Sequence, residues 1–252
     1  MDHVRLLLLK VASALDGEDW LLVGGAMTHL HCALNEVGYA RPTADVDIVV
    51  DPVNHSTLGS VAQKLEESGY EPVLPLTREG FLHQFLGGQG FRVDVMGKDS
   101  ENTPDRWRGY NVVKCPGSKS ALGILSDGTL KDVLEVPVSD ERAVRLPNVW
   151  SAISIKGHAL RLADGNRERH VQDALALLAC ANRTEVKREL TKSERLAVNN
   201  ILSSSYMSNV ENWLPLDQEH WSEALQEIRR LRPRGPISVP ELIQPRLPPE
   251  KR

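Results

Sequence analysis

The sequence predicts an α+β fold: a mixed sheet with flanking helices, followed by a helical C-terminal region. Three observations carry this. Residues 20–23 are a continuous apolar run, Trp20-Leu21-Leu22-Val23, closed by Gly24 and Gly25, the pattern of a short strand buried on both faces. Over residues 45–50, Asp45 and Asp47 alternate with Val46, Ile48 and Val50, the period of a strand with one apolar face. Beyond residue 147 the apolar residues recur at helical spacing instead.

Taken in order, Val4, Leu7, Leu8, Val11, Ala12 and Leu15 form a helical stripe, so the chain opens with an amphipathic helix. The strand at 20–23 follows. Met27, Leu30, Leu34 and Val37 then predict a helix that Gly38 ends. After the strand at 45–50, Asp51-Pro52 breaks the sheet, and Leu58, Val61, Ala62 and Leu65 predict a helix ending at Gly69. Val73-Leu74-Pro75-Leu76 reads as a short edge element, because proline is poorly tolerated inside a sheet. Residues 81–86 and 91–96 read as strands joined through Gly87-Gly88-Gln89-Gly90, a hairpin that puts Asp94 on its second arm.

Residues 98–117 are polar and turn-rich, with Trp107 and Tyr110 packed beneath them, and short strands or turns are expected over 112–146. Pro147 sits at a helix start, with Val149, Ala152, Ile153, Leu160 and Ala163 on its stripe. A second helix over 171–181 is apolar nearly all round, with Asp173 in its first turn. Thr191-Lys192-Ser193-Glu194 fits a capping box ahead of Val198, Ile201 and Leu202. Trp221, Ala224, Leu225 and Ile228 mark a last helix. From Pro233 the chain is proline-rich and aperiodic, read as extended or disordered.

Composition narrows the classes. With 252 residues, 41% hydrophobic and 25% charged, this is an ordinary globular composition for one large or two small domains. A net charge of −4 gives no global basic field, so any nucleic-acid contact must come from a local patch. The best candidate is the run of Arg229, Arg230, Arg232, Arg234, Arg246, Lys251 and Arg252, opposed only by Glu241 and Glu250. Three scattered cysteines, Cys32, Cys115 and Cys180, fit a reducing compartment and argue against structural zinc or a disulfide framework. No run approaches membrane-spanning length, and the apolar stretch at 6–9 is too short for a signal-peptide core, so a cytoplasmic protein without a membrane partner is expected.

The residues that carry chemistry are few. Asp45 and Asp47 share one strand face, and Asp94 lies between valines on a later strand. Carboxylates aimed at one point suit a hard cation. Gly24 and Gly25 let the backbone approach closely, and the helix behind them aims free N–H groups and its positive end at an anion, as a triphosphate beside such a cation requires. Lys156 falls on a stripe of core residues, three after Ile153 and four before Leu160. It reads either as a cation facing nucleotide phosphates or as a stem covering apolar surface while its head reaches water. On the first reading, Lys156→Met is expected to keep or raise stability. Asp173 has an alternative reading as a dipole-stabilising acid. Three look-alikes are set aside. No helix follows Gly87-Gly88-Gln89-Gly90, Gly117-Ser118-Lys119-Ser120 lacks a Gly-Lys pair, and residues 45–51 lack the central glycine of a calcium loop.

The glycine pair, the Asp45-Val46-Asp47 motif and the later lone Asp94 resemble the nucleotidyltransferase superfamily with the DNA polymerase β-like fold. Leu22-Val23-Gly24-Gly25, Arg41-Pro42-Thr43-Ala44-Asp45-Val46-Asp47, Lys156 and Arg169-His170-Val171-Gln172-Asp173 look like the AbiEii/MenT-type nucleotidyltransferases. These are toxin components of bacterial toxin–antitoxin and phage-defence systems. The similarity covers about residues 18–182. It implies a nucleotidyltransferase-fold catalytic core over 1–146, a helical region over 147–232 completing the nucleotide site, and a basic tail over 233–252. It implies Asp45, Asp47 and Asp94 as ligands of two magnesium ions, for which manganese can substitute. Gly24, Gly25, Arg41, Thr43 and Lys156 would contact the nucleoside triphosphate, and Lys156 and Asp173 would join the three acids as the catalytic set.

The implied acceptor is an RNA, foremost a tRNA 3′ end, and a cognate antitoxin is an implied partner. A small antibiotic such as an aminoglycoside or lincosamide is the second acceptor and a protein hydroxyl the third. A non-catalytic binding protein with a relic site is the alternative of a different class, disfavoured by the presence together of three acids and the lysine. The interval from Gly25 to Asp45 is longer than the family usually shows, and residues 31–39 are read as an extension of the helix and its loop.

Overall fold

Alternation of Asp with β-branched residues at 45–50 does in space what it does in sequence: it seats one strand face on the core and turns the other outward. The computed structural model describes residues 2–39, 41–50, 57–121, 133–162, 167–184, 189–205, 207 and 216–231. In chain order the elements are α1 (Asp2–Ala14), β1 (Trp20–Val23), α2 (Gly24–Leu34), β2 (Asp45–Val50), α3 (Leu58–Glu67), β3 (Glu71–Pro72), β4 (Gln84–Leu86) and β5 (Arg92–Lys98). Then come β6 (Arg106–Trp107), β7 (Tyr110–Asn111), β8 (Lys114–Cys115), α4 (Ser118–Ala121), β9 (Val133–Pro137) and β10 (Ala143–Pro147). Helices α5 (Val149–Ala159), α6 (Arg167–Arg183), α7 (Lys192–Leu202) and α8 (Gln218–Leu231) follow.

The main sheet has the order β1-β2-β5-β4-β3, with β8 joined to the end of β5. It is mixed: β2 and β5 run parallel, while β1–β2, β5–β4 and β4–β3 are antiparallel. The chain is therefore a mixed α/β protein with helices flanking a mixed sheet, as the α+β expectation requires at this level. The parallel pair sets Asp45 against Arg92 and Asp47 against Asp94. On the opposite face Val46, Ile48, Val50, Val93 and Val95 are buried in the core. The glycine-linked strands pair as a hairpin, β4 with β5, through a short 3-10 turn over Gly88–Gly90.

Several boundaries differ from expectation. Helix α2 stops at Leu34, which is 52% exposed, and Asn35 caps it; Val37 is buried but lies beyond the helix, after Glu36 at φ +55°. The end of α2 is closed by Asn35 N, Glu36 N and Val37 N, which donate to the carbonyls of His31, Ala33 and Cys32, and Arg183 Nη1 donates to the carbonyls just past it, Asn35 O and Glu36 O, at 3.1 and 3.0 Å. The edge strand is Glu71–Pro72 rather than residues 73–76, with Val73 N still donating to Gln84 O. Pro147 closes β10, and Asn148, not Pro147, caps α5 by accepting from Ser151 N. Helix α5 is buried from Val149 through Gly157, so its expected stripe is a fully enclosed helix. Helix α6 starts at Arg167, which moves Asp173 out of the first turn and removes its dipole reading. The capping box at Thr191 and Glu194 is present. Asp51, Pro52, Ala163 and the tail from Pro233 lie outside the described residues. No helix among the described residues is long and apolar enough to cross a membrane.

Two packing details have measurable consequences. A Cβ added at Gly157 would lie 2.3 Å from the Ala197 carbonyl oxygen, so α5 and α7 touch backbone to backbone. Gly157→Ala, which favours an isolated helix by about 1 kcal/mol, is expected here to destabilise by about 1–2 kcal/mol in chemical denaturation, because overpacking wins. His31, 1% exposed, donates from Nε2 to Pro147 O at 2.9 Å, and burial pushes its imidazole down to about 4. The unfolded chain then binds the extra proton between about pH 6.5 and 4, so stability falls as pH drops through that window. His31→Gln should remove up to about 3 kcal/mol of that loss, read as a flatter stability between pH 7 and 4.5 than in the unsubstituted chain.

Candidate active site

The site begins where β1 ends. Gly24 turns the backbone at φ +69°, and a Cβ there would lie 1.7 Å from Asp47 Oδ2, so only glycine fits between the strand end and that carboxylate. Helix α2 starts at once. Val23 offers no side-chain acceptor to its first turn, whose N–H groups are therefore left for an anion. A Cβ on Gly25 would meet Arg41 Nη2 at 2.5 Å and Thr43 Oγ1 at 2.9 Å, which places both side chains over the same helix start.

On the sheet, the register of β2 and β5 gathers Asp45, Asp47 and Asp94 on one face. Thr43, itself buried, donates from Oγ1 to Asp45 Oδ1 at 3.0 Å, and Arg92 Nη2 donates to Asp45 Oδ2. Arg92 also reaches Asp94: Nε sits 3.2 Å from Oδ1 as a charge contact without hydrogen-bond alignment. Both of those atoms are buried hydrogen-bonding groups without a hydrogen-bond partner. Burial pushes the Asp47 carboxyl up to about 6, reinforced by the neighbouring charges of Asp45 and Asp94. Burial likewise pushes Asp94 up to about 6, against the pull of Arg92. The acid face is thus short of positive charge. Among the described residues no three His, Cys, Asp or Glu side chains form a ready metal-holding group.

Facing the acids is a second cluster. Asp173, 2% exposed, accepts from Lys156 Nζ at 2.6 Å, from Arg41 Nε and Nη2 at 2.9 and 3.2 Å, and from Tyr39 OH at 2.5 Å. Burial alone would raise the Asp173 pKa, but Lys156 and Arg41 outweigh it and hold it below the usual carboxylate range. Two cations share one carboxylate, so the cluster carries net positive charge. Lys156 is 3% exposed, and its head is neither in water nor unpaired. Neither reading made from sequence anticipates this ion pair.

The two clusters line one cavity of about 570 Å³, within the roughly 300–1,000 Å³ range of small-molecule sites. Gly24, Gly25, Arg41, Asp45, Asp47, Asp94, Lys156 and Asp173 all border it; Thr43 lies just behind, against Asp45. Phe81, Met96, Ile155 and Leu162 supply an apolar side. Sequence reasoning gave no role to four neighbours. Arg92 was legible as the residue two before Asp94 on the same strand face. Gln84 was legible only through pairing, being the partner of Asp94 across the hairpin. Tyr39 left no signal in its loop. His170 borders the cavity with a buried Nδ1 that has no hydrogen-bond partner, and burial, aided by the Lys156 charge, pushes it down to about 4, so it is neutral near pH 7.

The basic C-terminal segment contributes less than its composition suggested. Arg230 pairs with Glu227 and lies over the Trp150 ring, 5.5 Å from its centroid. Arg229 is exposed, and residues 232–252 lie outside the described residues.

No protein-family model matches the chain, and no curated protein matches it.

The buried ion pair reverses one expectation. Because Lys156→Met would strand Asp173 with Arg41 and Tyr39 in place of two cations, it is expected to destabilise by about 3 kcal/mol instead of leaving stability unchanged. Urea unfolding of Lys156→Met, and of Lys156→Met combined with Asp173→Asn, checks this; the second substitution should not recover the loss, because it takes from Arg41 the carboxylate that pairs it.

Proposed function

We propose that this chain is a magnesium-dependent nucleotidyltransferase that moves a nucleoside monophosphate from a nucleoside triphosphate to an acceptor hydroxyl. The observation that carries the reading is the register of β2 and β5. It holds Asp47 opposite Asp94, with Asp45 on the same face and the uncapped start of α2 directly against Asp47. The sheet, with these acids at its centre and the α2 start beside them, supports a nucleotidyltransferase-type fold.

The donor chemistry suits magnesium, with three carboxylates on one face, although these side chains do not form a ready metal-holding group as they stand. Asp45, Asp47 and Asp94 would hold the ions, which when bound would neutralise triphosphate charge and polarise the reacting phosphorus. The protein's own groups do the rest. Backbone N–H groups at Gly24 and Gly25 hold phosphate oxygens. Arg41 and Lys156, tied to Asp173, set net positive charge across the cavity from the acids and oppose charge that builds on the triphosphate. Asp94, which borders the cavity, takes the proton from the acceptor hydroxyl. The acceptor oxygen bonds to the α-phosphorus, the bond to the β-bridging oxygen breaks, and pyrophosphate leaves.

For the acceptor we propose the 3′ end of an RNA, foremost tRNA, and for the biological role the toxin of a toxin–antitoxin or phage-defence pair, with a cognate antitoxin as partner. Both follow from the motif resemblance. The apolar side of the cavity at Phe81, Met96 and Leu162 favours a second reading, a small antibiotic-type acceptor with an apolar body.

The test is incubation of the full chain with each α-labelled nucleoside triphosphate, magnesium and total tRNA. Label is expected at the tRNA 3′ end with at least one nucleotide. Asp47→Asn should lower transfer by about 100-fold or more while leaving the melting temperature within a few degrees. Label on an aminoglycoside or lincosamide but not on tRNA would install the second reading. Unchanged nucleotide binding in Asp47→Asn, with and without magnesium, would exclude the site.

A further inference from the structure

Two of the three acids already hold a cation, and it belongs to the chain. Arg92 donates from Nη2 to Asp45 Oδ2 and sets Nε 3.2 Å from Asp94 Oδ1, spanning the two acids that flank Asp47. Its position follows from register, since Arg92 is the residue paired with Asp45 and lies two before Asp94 on the same strand. Its side chain is 38% exposed, against 2% for Asp173 and 4% for Lys156 in the neighbouring buried pair. A half-exposed guanidinium has room to leave its partners, whereas the buried pair does not.

We propose that Arg92 is an exchangeable counter-cation: it holds the acid face together before a divalent ion arrives, yields Asp45 and Asp94 to that ion, and passes to the triphosphate. This rests on the nucleotidyltransferase reading above and adds to it a residue and an order of events. Three like-charged carboxylates on one face repel, and one guanidinium relieves part of that repulsion. A divalent ion bound by the same oxygens does so more completely, and it competes for the Asp45 oxygen that Arg92 occupies. The displaced guanidinium stays at the cavity, which Arg92 also borders, and its planar fork matches phosphate oxygens two at a time. Metal loading thereby turns a group that opposes the metal into one that binds the nucleotide.

The consequence is a pair of effects of opposite sign, which a merely structural residue would not give. Without nucleotide, R92Q should bind Mn2+ about tenfold more tightly, because the ion no longer displaces a resident charge. At saturating Mn2+, R92Q should bind the α,β-methylene analogues of the nucleoside triphosphates about tenfold more weakly, for want of the phosphate contact. R92K, which keeps the charge but cannot span two carboxylates, should fall between on both readouts.

The experiment titrates Mn2+ into the full chain, following free ion by electron paramagnetic resonance, for the unsubstituted chain, R92Q, R92K and D47N. The analogues are then titrated at saturating Mn2+, with thermal melts confirming that each variant is folded. The expected result is tighter metal and weaker analogue in R92Q, with metal binding largely lost in D47N. If the unsubstituted chain binds Mn2+ and R92Q binds it equally or less well, the exchange is overturned while the metal site stands. Tighter metal with unchanged analogue affinity overturns the passage to the triphosphate. If neither the unsubstituted chain nor R92Q binds Mn2+, the metal-site reading falls and takes the exchange with it. Should R92Q not fold, R92K supplies the same comparison, and a metal affinity equal to that of the unsubstituted chain overturns the proposal.

Discussion

Asp47 and Asp94 are held in register on adjacent parallel strands, and like charges this near repel. Burial sharpens the problem, because neither carboxylate has enough water to spread its charge, and both carboxyls are pushed up to about 6. Much of the surrounding structure answers that repulsion. Arg92 reaches two of the three acids from within the same sheet face, and Thr43 donates to Asp45. The start of α2 brings its positive end against Asp47, so close that the residue at the turn has no room for a side chain. A register shift of one residue in β2 would turn all of this into the core, since strand side chains alternate faces. Val46, Ile48, Val50, Val93 and Val95 hold the register by burying the other face.

Across the cavity the charge balance is reversed. Asp173 is shared by Lys156 and Arg41, so the helical side carries one positive charge beyond its acid, while the sheet side carries three acids against Arg92. Burying ions is costly, and a shared carboxylate is the arrangement that keeps two cations low in water without leaving either unpaired. A cavity with one acidic and one basic wall is polar by construction, and its apolar side at Phe81, Met96 and Leu162 gives it the mixed lining typical of small-molecule sites.

The strand residues of the site were legible because period-two alternation assigns faces directly: Asp45, Asp47 and Asp94 need only that pattern to be placed together. The same rule reaches Arg92. The helical side resisted for a different reason. Lys156 lies in a helix buried all round, where an apolar stripe no longer says which face meets which neighbour, so its partner Asp173, seventeen residues on, could not be read from spacing. The end of α2 was misplaced because Val37 is buried through the loop and not through the helix. Glu36 takes a left-handed conformation that no local turn residue announces. That loop proves useful. The residues that make the interval from Gly25 to Asp45 long end in Tyr39, which reaches Asp173 together with Arg41 of the motif that follows.

The helices beyond residue 147 have a physical task in this arrangement, and it follows from two adjacent residues. Lys156 points to the cavity and Gly157 to α7, where its backbone touches that of Ala197 and its carbonyl accepts from Asn200 Nδ2 at 3.1 Å. Contact that close leaves α5 little freedom to rotate about its axis, and rotation is what would carry Lys156 away from Asp173. Helix α6, which bears Asp173, is held in turn by α8 through Arg183, whose guanidinium pairs with Glu219 and Glu223 while also binding the carbonyls at the end of α2. The basic wall is thus fixed from behind by α7 and α8, as the acidic wall is fixed from behind by the valine core. Precision at the cavity depends on packing well outside it, since a charged group displaced by an ångström loses most of its value to a reacting centre.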